Sequence, residues 1–384
     1  MLILHCDKIQ NYNISNLRSG IRDAMRGLFL ILIYLVINQV IFVAQEKPSI
    51  DFYLDGATIN SIDGNDSEIW FATYGKGIYC YKRKEDKWIN YSTSNGNLQQ
   101  DFFYCVAVSK DYVWAGSSDG LFTLVKNRDT WQKRKFGLGG ELGNWIRAMA
   151  YDKYLDVVWI GRFKYLTKFE VEKRKFSDYD LTINGDVKSN NIKCIKLDGD
   201  SLVWFGTEAG VHKYDKKKDI ADKSSMEFYS SKNGYFNSEG DVTSIADILF
   251  ENDNIWFGLD EFVTVQKPNF NVGGIYIYNR KAMWERIDKS YGLKANGIFC
   301  LERTGNIIWA SLYEFNKKNK EQTGQGIAMI DRLTTRVKMI SKDDLELHSD
   351  KILCMYFDGN NMWIGTEAGL LKIKITNELA EWKN

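Results

Sequence analysis

A nine-residue run, Met362-Trp363-Ile364-Gly365-Thr366-Glu367-Ala368-Gly369-Leu370, recurs almost unchanged as Val203-Trp204-Phe205-Gly206-Thr207-Glu208-Ala209-Gly210-Val211. Weaker copies centre on Trp70, Trp114, Trp159, Trp256 and Trp309, so that successive tryptophans stand 44, 45, 45, 52, 53 and 54 residues apart. A period of roughly 40–50 residues holding several short strands marks a β-propeller, whose blades cannot bury their faces alone and stack into a ring. Seven copies predict seven blades.

Each repeat follows one plan from residue 57. An apolar run such as Lys351-Ile352-Leu353-Cys354-Met355-Tyr356-Phe357 leads into a polar turn, Asp358-Gly359-Asn360-Asn361, and then the Trp run. A small turn, a third apolar run and a shorter aromatic fourth run follow, the last marked by Trp88, Trp131, Phe176, Tyr229 and Trp284. Alternating apolar residues bounded by Gly, Asn and Asp are hairpin chemistry. The fold class read from this is all-β: a seven-bladed propeller of four-stranded antiparallel blades over residues 57–384. The repeated indole is expected to fill the wedge between neighbouring sheets. The glycine two residues later is expected to permit a close backbone approach or a positive φ. Two segments can close the ring, residues 51–54 or residues 380–383.

The first 44 residues stand apart. Residues 27–44, GLFLILIYLVINQVIFVA, are almost wholly apolar, follow Arg18, Arg22 and Arg26, and precede the polar residues 45–48. That is the layout of an export signal or an N-terminal membrane anchor. Met25 is an alternative start. Residues 1–44 are therefore read as signal peptide or anchor, and 45–56 as linker or closing strand. The expected location is the periplasm or cell envelope, with membrane contact only through this segment if it is not cleaved. Basic and acidic residues number 51 and 50, and this balance excludes a nucleic-acid partner.

Five of the six cysteines follow the apolar segment, an odd number. Cys105, Cys300 and Cys354 each lie nine residues before their blade's Trp and Cys194 lies ten before, positions that are far apart around a ring. They are expected to be free, buried and small-hydrophobe-like. No Cys/His cluster has metal-ligand spacing, and no cofactor or metal is expected.

The order of Ile287-Asp288-Lys289-Ser290-Tyr291-Gly292-Leu293, an apolar strand, and then Asp358-Gly359-Asn360-Asn361-Met362-Trp363-Ile364-Gly365-Thr366 resembles the two-component regulator propeller repeat. The resemblance covers about residues 57–376. It implies a propeller placed outside the cytoplasmic membrane as a sensor region, with polysaccharide-derived ligands or a partner receptor, and it supplies no catalytic residues. The 384 residues end directly after the seventh repeat without a kinase segment, so a stand-alone propeller is expected.

In an antiparallel blade the turn between the second and third strands shares a face with the link to the next blade. The links are long and polar. The turns in blades 5 and 6, residues 259–272 and 312–325, are enlarged and begin alike, Leu259-Asp260-Glu261-Phe262 and Leu312-Tyr313-Glu314-Phe315. Function concentrates on loops held by a rigid scaffold. Phe262, Glu261, Tyr313, Glu314 and Phe315 are thus the expected ligand contacts, with an aromatic surface beside a carboxylate on two adjacent blades. As loop residues they are expected to add little to stability. Arg162 and Tyr165, which replace Thr and Gly in blade 3, are a second pointer. A glycan fragment or a protein or peptide partner fits such a surface. The alternative is catalysis. Ile69-Trp70-Phe71 and Ile255-Trp256-Phe257 are similar to the repeat of seven-bladed streptogramin-type lyases, and His348 is the one histidine on the loop-rich face available for that role.

Overall fold

The computed structural model describes Leu28 and residues 49–376 apart from 341, 343 and 346. The apolar segment 27–44, Cys6 and the closing alternative at 380–383 otherwise lie outside the described residues. Seven four-stranded antiparallel sheets form the blades of a propeller. Blade 1 comprises Thr58–Gly64, Glu68–Tyr74, Ile78–Lys82 and Lys87–Tyr91, from the channel outward. Blades 2 to 6 repeat this order over residues 105–134, 146–179, 192–229, 245–287 and 297–340. Blade 7 takes three strands from Ile352–Phe357, Asn361–Thr366 and Gly369–Lys374, and its outermost strand is Ile50–Tyr53. Ile50 pairs with Ile373 and Tyr53 with Leu370, so the ring is closed by the N-terminal strand.

All seven signature tryptophans are at most 1 % exposed. The glycine two residues after them acts by close approach. A Cβ on Gly206 would lie 2.4 Å from Cys194 Sγ and 2.9 Å from Ile245 Cγ2 of the next blade. Gly116, Gly161, Gly258 and Gly365 meet Ile146, Ile192, Ile298 and Ile59 in the same way. The isoleucines start a one-residue bulge in the first strand, which aims them back at the preceding blade. Cys105, Cys194, Cys300 and Cys354 fill the space beside these contacts, and all five cysteines from Cys80 onward are free and buried. Burial pushes the thiols of Cys80 and Cys194 up to about 12.

A second repeated device lies on the face opposite the links. The residue leaving the third strand of one blade pairs with an acid at the first turn of the blade before it. Lys126 meets Glu68, Lys216 meets Asp152 at 2.9 Å, and Arg280 meets Asp198 at 2.7 Å. Arg332 lies 3.4 Å from Glu251, and Arg83, across the closure, lies 3.5 Å from Asp358. At the other two junctions the equivalent positions hold Ser109 with Val171 and Thr304 with Ile375, uncharged on both sides. Val171 and Ile375 keep the backbone hydrogen bonds, to Asp156 and Asn360 carbonyls, that mark the position.

Candidate functional site

The first strands line the central channel, whose main cavity is about 1090 Å³. Its carboxylates do structural work. Val108 N donates to Asp63 Oδ2 (2.8 Å), Leu301 N to Asp247 Oδ2 (2.9 Å) and Phe357 N to Glu302 Oε2 (3.3 Å), each joining one blade to the next. Lys196 is 2.9 Å from Asp247. Burial raises the carboxyl of Asp63 to about 6 and also raises that of Glu302.

On the link-bearing face the channel opens into a second cavity of about 550 Å³ among blades 3 to 6. The enlarged segments build its wall, and the strands run further into both of them than expected. In blade 6 the strands run through Ile307–Asn316 and Glu321–Asp331, leaving only residues 317–320 as a turn. In blade 5 the strands reach Phe262 and resume at Asn271. The expectation of two long loops is corrected for blade 6, where Asn316–Glu321 continues the ladder to a short turn; in blade 5 the ladder extends to Phe262–Asn271 and an eight-residue loop, 263–270, remains.

This pairing changes what the sequence-predicted residues do. Tyr313 is fully buried, its ring lies against Gly297, and its hydroxyl accepts from Glu261 N (3.0 Å) and donates to Asp260 Oδ1 (3.1 Å). Phe315 is 7 % exposed and packs on Phe262 with ring centroids 4.6 Å apart. Phe315 N donates to Glu261 Oε2 at 3.2 Å. Val263, Tyr313 and Phe315, with Phe262 and Phe299 against them, form a small core between blades 5 and 6. The expectation that these residues contribute little to stability is therefore corrected: Tyr313 and Phe315 are packing residues. Phe262 and Glu261 are half-buried and line the cavity. Glu314 is exposed and 3.3 Å from Lys289.

Arg162 is also fully buried. Its guanidinium donates to the carbonyls of Leu138 (3.0 Å) and Gly143 (2.8 Å) and pairs with Asp178 (2.8 Å), which ties the link 137–144 to blade 3. Tyr165, at φ 78°, stands beside it. Neither residue lines the mouth cavity, and Arg162 has no surface to offer a ligand. His348 pairs with Asp55 at 3.2 Å and stacks on Phe52 beside the closing strand. His212 is buried against the Ser189 carbonyl at 2.8 Å, and burial lowers it to about 4.

Sequence reasoning missed most of the cavity. Arg147 pairs with Glu208 at 2.6 Å, and Asn191 Nδ2 donates to the same carboxylate at 3.1 Å. Lys193 pairs with Asp260, which also accepts from Ser244 at 2.6 Å. Burial pushes the Asp260 carboxyl up, but Lys193 and these donors hold it below the ordinary range. Asn271 is only 7 % exposed, lines the cavity, and its carboxamide oxygen has no hydrogen-bond partner. Also missed was an aromatic row across blades 1 to 3 of the same face. Phe102 contacts Tyr74 (4.8 Å), Tyr74 contacts Tyr104 (5.9 Å), Tyr104 contacts Trp145 (5.5 Å) and Trp145 stacks on Phe163 (5.4 Å). Arg147 lies 5.3 Å from the Phe163 ring, so the row runs to the edge of the mouth. Each ring precedes or ends an inner strand, and that recurrence was the available signal.

No protein-family model matches the chain. A histidine kinase, P4, of Formosa agariphila is 28 % identical over 205 residues, which is 50 % of this chain and 14 % of the kinase. The extracellular domain of the putative hybrid two-component system BT4673 from B. thetaiotaomicron superposes with a TM-score of 0.63 at 18 % identity, over 86 % of this chain and 40 % of that one. YCF48 bound to a D1 peptide gives 0.61 at 11 %, over 87 % and 99 %. The chain thus spans well under half the length of the two-component proteins it resembles. At these identities the solved structures speak for the fold. The likeness to two-component sensor propellers carried by the Trp-Ile-Gly-Thr repeat stands at the level of the propeller domain.

Proposed function

We propose that the chain, resembling the propeller of a two-component sensor, is an exported, non-catalytic binding module that takes a glycan fragment at the mouth of its channel. The observation that carries this reading is the buried, unpartnered carboxamide oxygen of Asn271 in a 550 Å³ cavity whose Arg147, Glu208, Lys193 and Asp260 are already paired with one another. An unmet acceptor of this kind costs about 1–3 kcal/mol until a donor reaches it. A saccharide hydroxyl supplies that donor, while Phe262, Phe270 and Phe299 supply apolar surface for the ring. The aromatic row from Phe102 to Phe163 extends the surface for a longer chain. Export is supported by the apolar segment 27–44 and by neighbours that are extracellular domains. Among the described residues no helix is long and apolar enough to cross a membrane.

A peptide is the second reading, favoured by the peptide-bound neighbour of the same fold. A glycan array and a peptide array probed with the full chain separate the two. Binding should be lost on Asn271→Ala with Phe262→Ala. Retained affinity in that variant would place the ligand elsewhere. Hydrolysis or elimination products that disappear with His348→Ala would favour the lyase alternative.

A further inference from the structure

One charge arrangement at the mouth has no counterpart elsewhere in the cavity. Phe270, in the tip of the blade 5 hairpin, is approached by two ammonium groups from different elements. Lys188, half-buried on the short turn Val187–Asn190 of the link from blade 3 to blade 4, lies 4.8 Å from the ring centroid. Lys267, from the blade 5 hairpin itself, lies 5.2 Å from it. The two charges are therefore no more than about 10 Å apart, about one Debye length at roughly 0.1 M salt. Neither ammonium is within ion-pair distance of a carboxylate among the described residues. The other cations of the cavity, Arg147 and Lys193, are already matched by Glu208 and Asp260.

The nearest unmatched acid in the cavity is Glu261, which is turned to Phe315 N on blade 6. The surplus at the rim is thus positive, and it is held beside Asn271, whose buried carboxamide oxygen lacks a donor among the described residues. Asn271 follows Phe270 directly, so a ligand touching both presents an anion and a hydroxyl one residue's reach apart.

We propose that the glycan taken at this mouth is an acidic one, with a carboxylate or sulfate seated between Lys188 and Lys267 over Phe270 and an adjacent hydroxyl donating to Asn271. This rests on the glycan reading above and narrows it. A neutral saccharide leaves two ammonium groups around one ring unrelieved, whereas an anion between them is attracted by both. The link and the hairpin each contribute one lysine, so the anion also bridges blade 5 to the segment before blade 4.

The test is titration calorimetry on the full chain with oligosaccharide pairs matched in length: oligogalacturonates and oligomannuronates, and chondroitin-type chains, against neutral galactan, mannan and cello-oligosaccharides. The expected result is at least tenfold tighter binding of an acidic member than of its neutral counterpart, falling as salt rises from 50 to about 500 mM. Lys188→Gln with Lys267→Gln should erase that preference while leaving the weaker neutral binding and the melting temperature in place. Neutral chains bound as tightly as acidic ones, or a preference that survives the double variant, would overturn the inference and leave the glycan reading standing. Binding of acidic peptides alone, with no saccharide of either charge bound, would overturn both.

Discussion

Gly206 shows how much one missing side chain can decide. The repeat made its glycine conspicuous, but the sequence left two reasons for it open, and the coordinates select the contact with Cys194 and Ile245. Gly206→Ala should cost about 1–3 kcal/mol by overpacking, read as a lowered denaturant midpoint at unchanged m-value. The same substitution at Gly199, a turn residue with open space around its Cβ but a φ of 65°, tests backbone strain instead. Asp63 offers a pH test. Its carboxyl is raised to about 6 by burial, while the unfolded chain titrates near the ordinary 3.8. The folded state then holds the extra proton between those values, so this group's contribution to stability declines as pH rises through about 4 to 6. Asp63 is partly exposed to the channel, which tempers the effect to roughly 1 kcal/mol. Asp63→Asn should stabilise the protein at pH 8 and make no difference below about pH 4, as measured by melting at both. Equal effects at both pH values would mean that Asp63 is not held raised. Tyr313 and Phe315, expected as ligand contacts, are instead packed between blades 5 and 6. Composition placed aromatics on blades 5 and 6, but not which of them the hairpins would turn inward, because that depends on register across Phe262–Asn271 and Tyr313–Gly324.

Among elements, the turns between first and second strands carry a lesson that no single repeat shows. Asp358 accepts from Asn360 N (2.9 Å), Asn361 N (2.7 Å) and Trp363 Nε1 (2.8 Å) while pairing with Arg83, so the Asp-Gly signature both shapes a turn and holds the next blade. Five junctions use acid against base, and two use Ser or Thr against Val or Ile. The charged and the uncharged solution are therefore interchangeable in kind. Asp152 and Lys216 test this best, being the most buried pair, with side chains at 0 % and 2 % exposure. Lys216→Val alone strands a buried carboxylate and should cost about 3–5 kcal/mol. Adding Asp152→Ser, to copy the Ser109 and Val171 junction, should recover most of it. A double variant as unstable as the single one would refute the equivalence.

The whole molecule was legible where the pattern is periodic. Seven tryptophans predicted seven blades, because each copy must bury the same wedge. What broke the period was harder to read. Closure depended on whether residues 50–53 or the far end supplied the fourth strand, two apolar-polar alternations alike in sequence. The mouth cavity draws Lys188, Lys193, Ser244, Asp260 and Asn271 from two links, one first strand and one hairpin, and their convergence follows only from ring geometry. Docking at this mouth is best tested by amide hydrogen exchange on the full chain, with and without the tightest ligand from the arrays. Protection should be confined to residues 187–193, 241–247, 260–272 and 313–323, extending to 102–104 and 145–147 for longer chains. Protection centred instead on the opposite face, around residues 65–67, 109–111 and 358–361, would contradict the account.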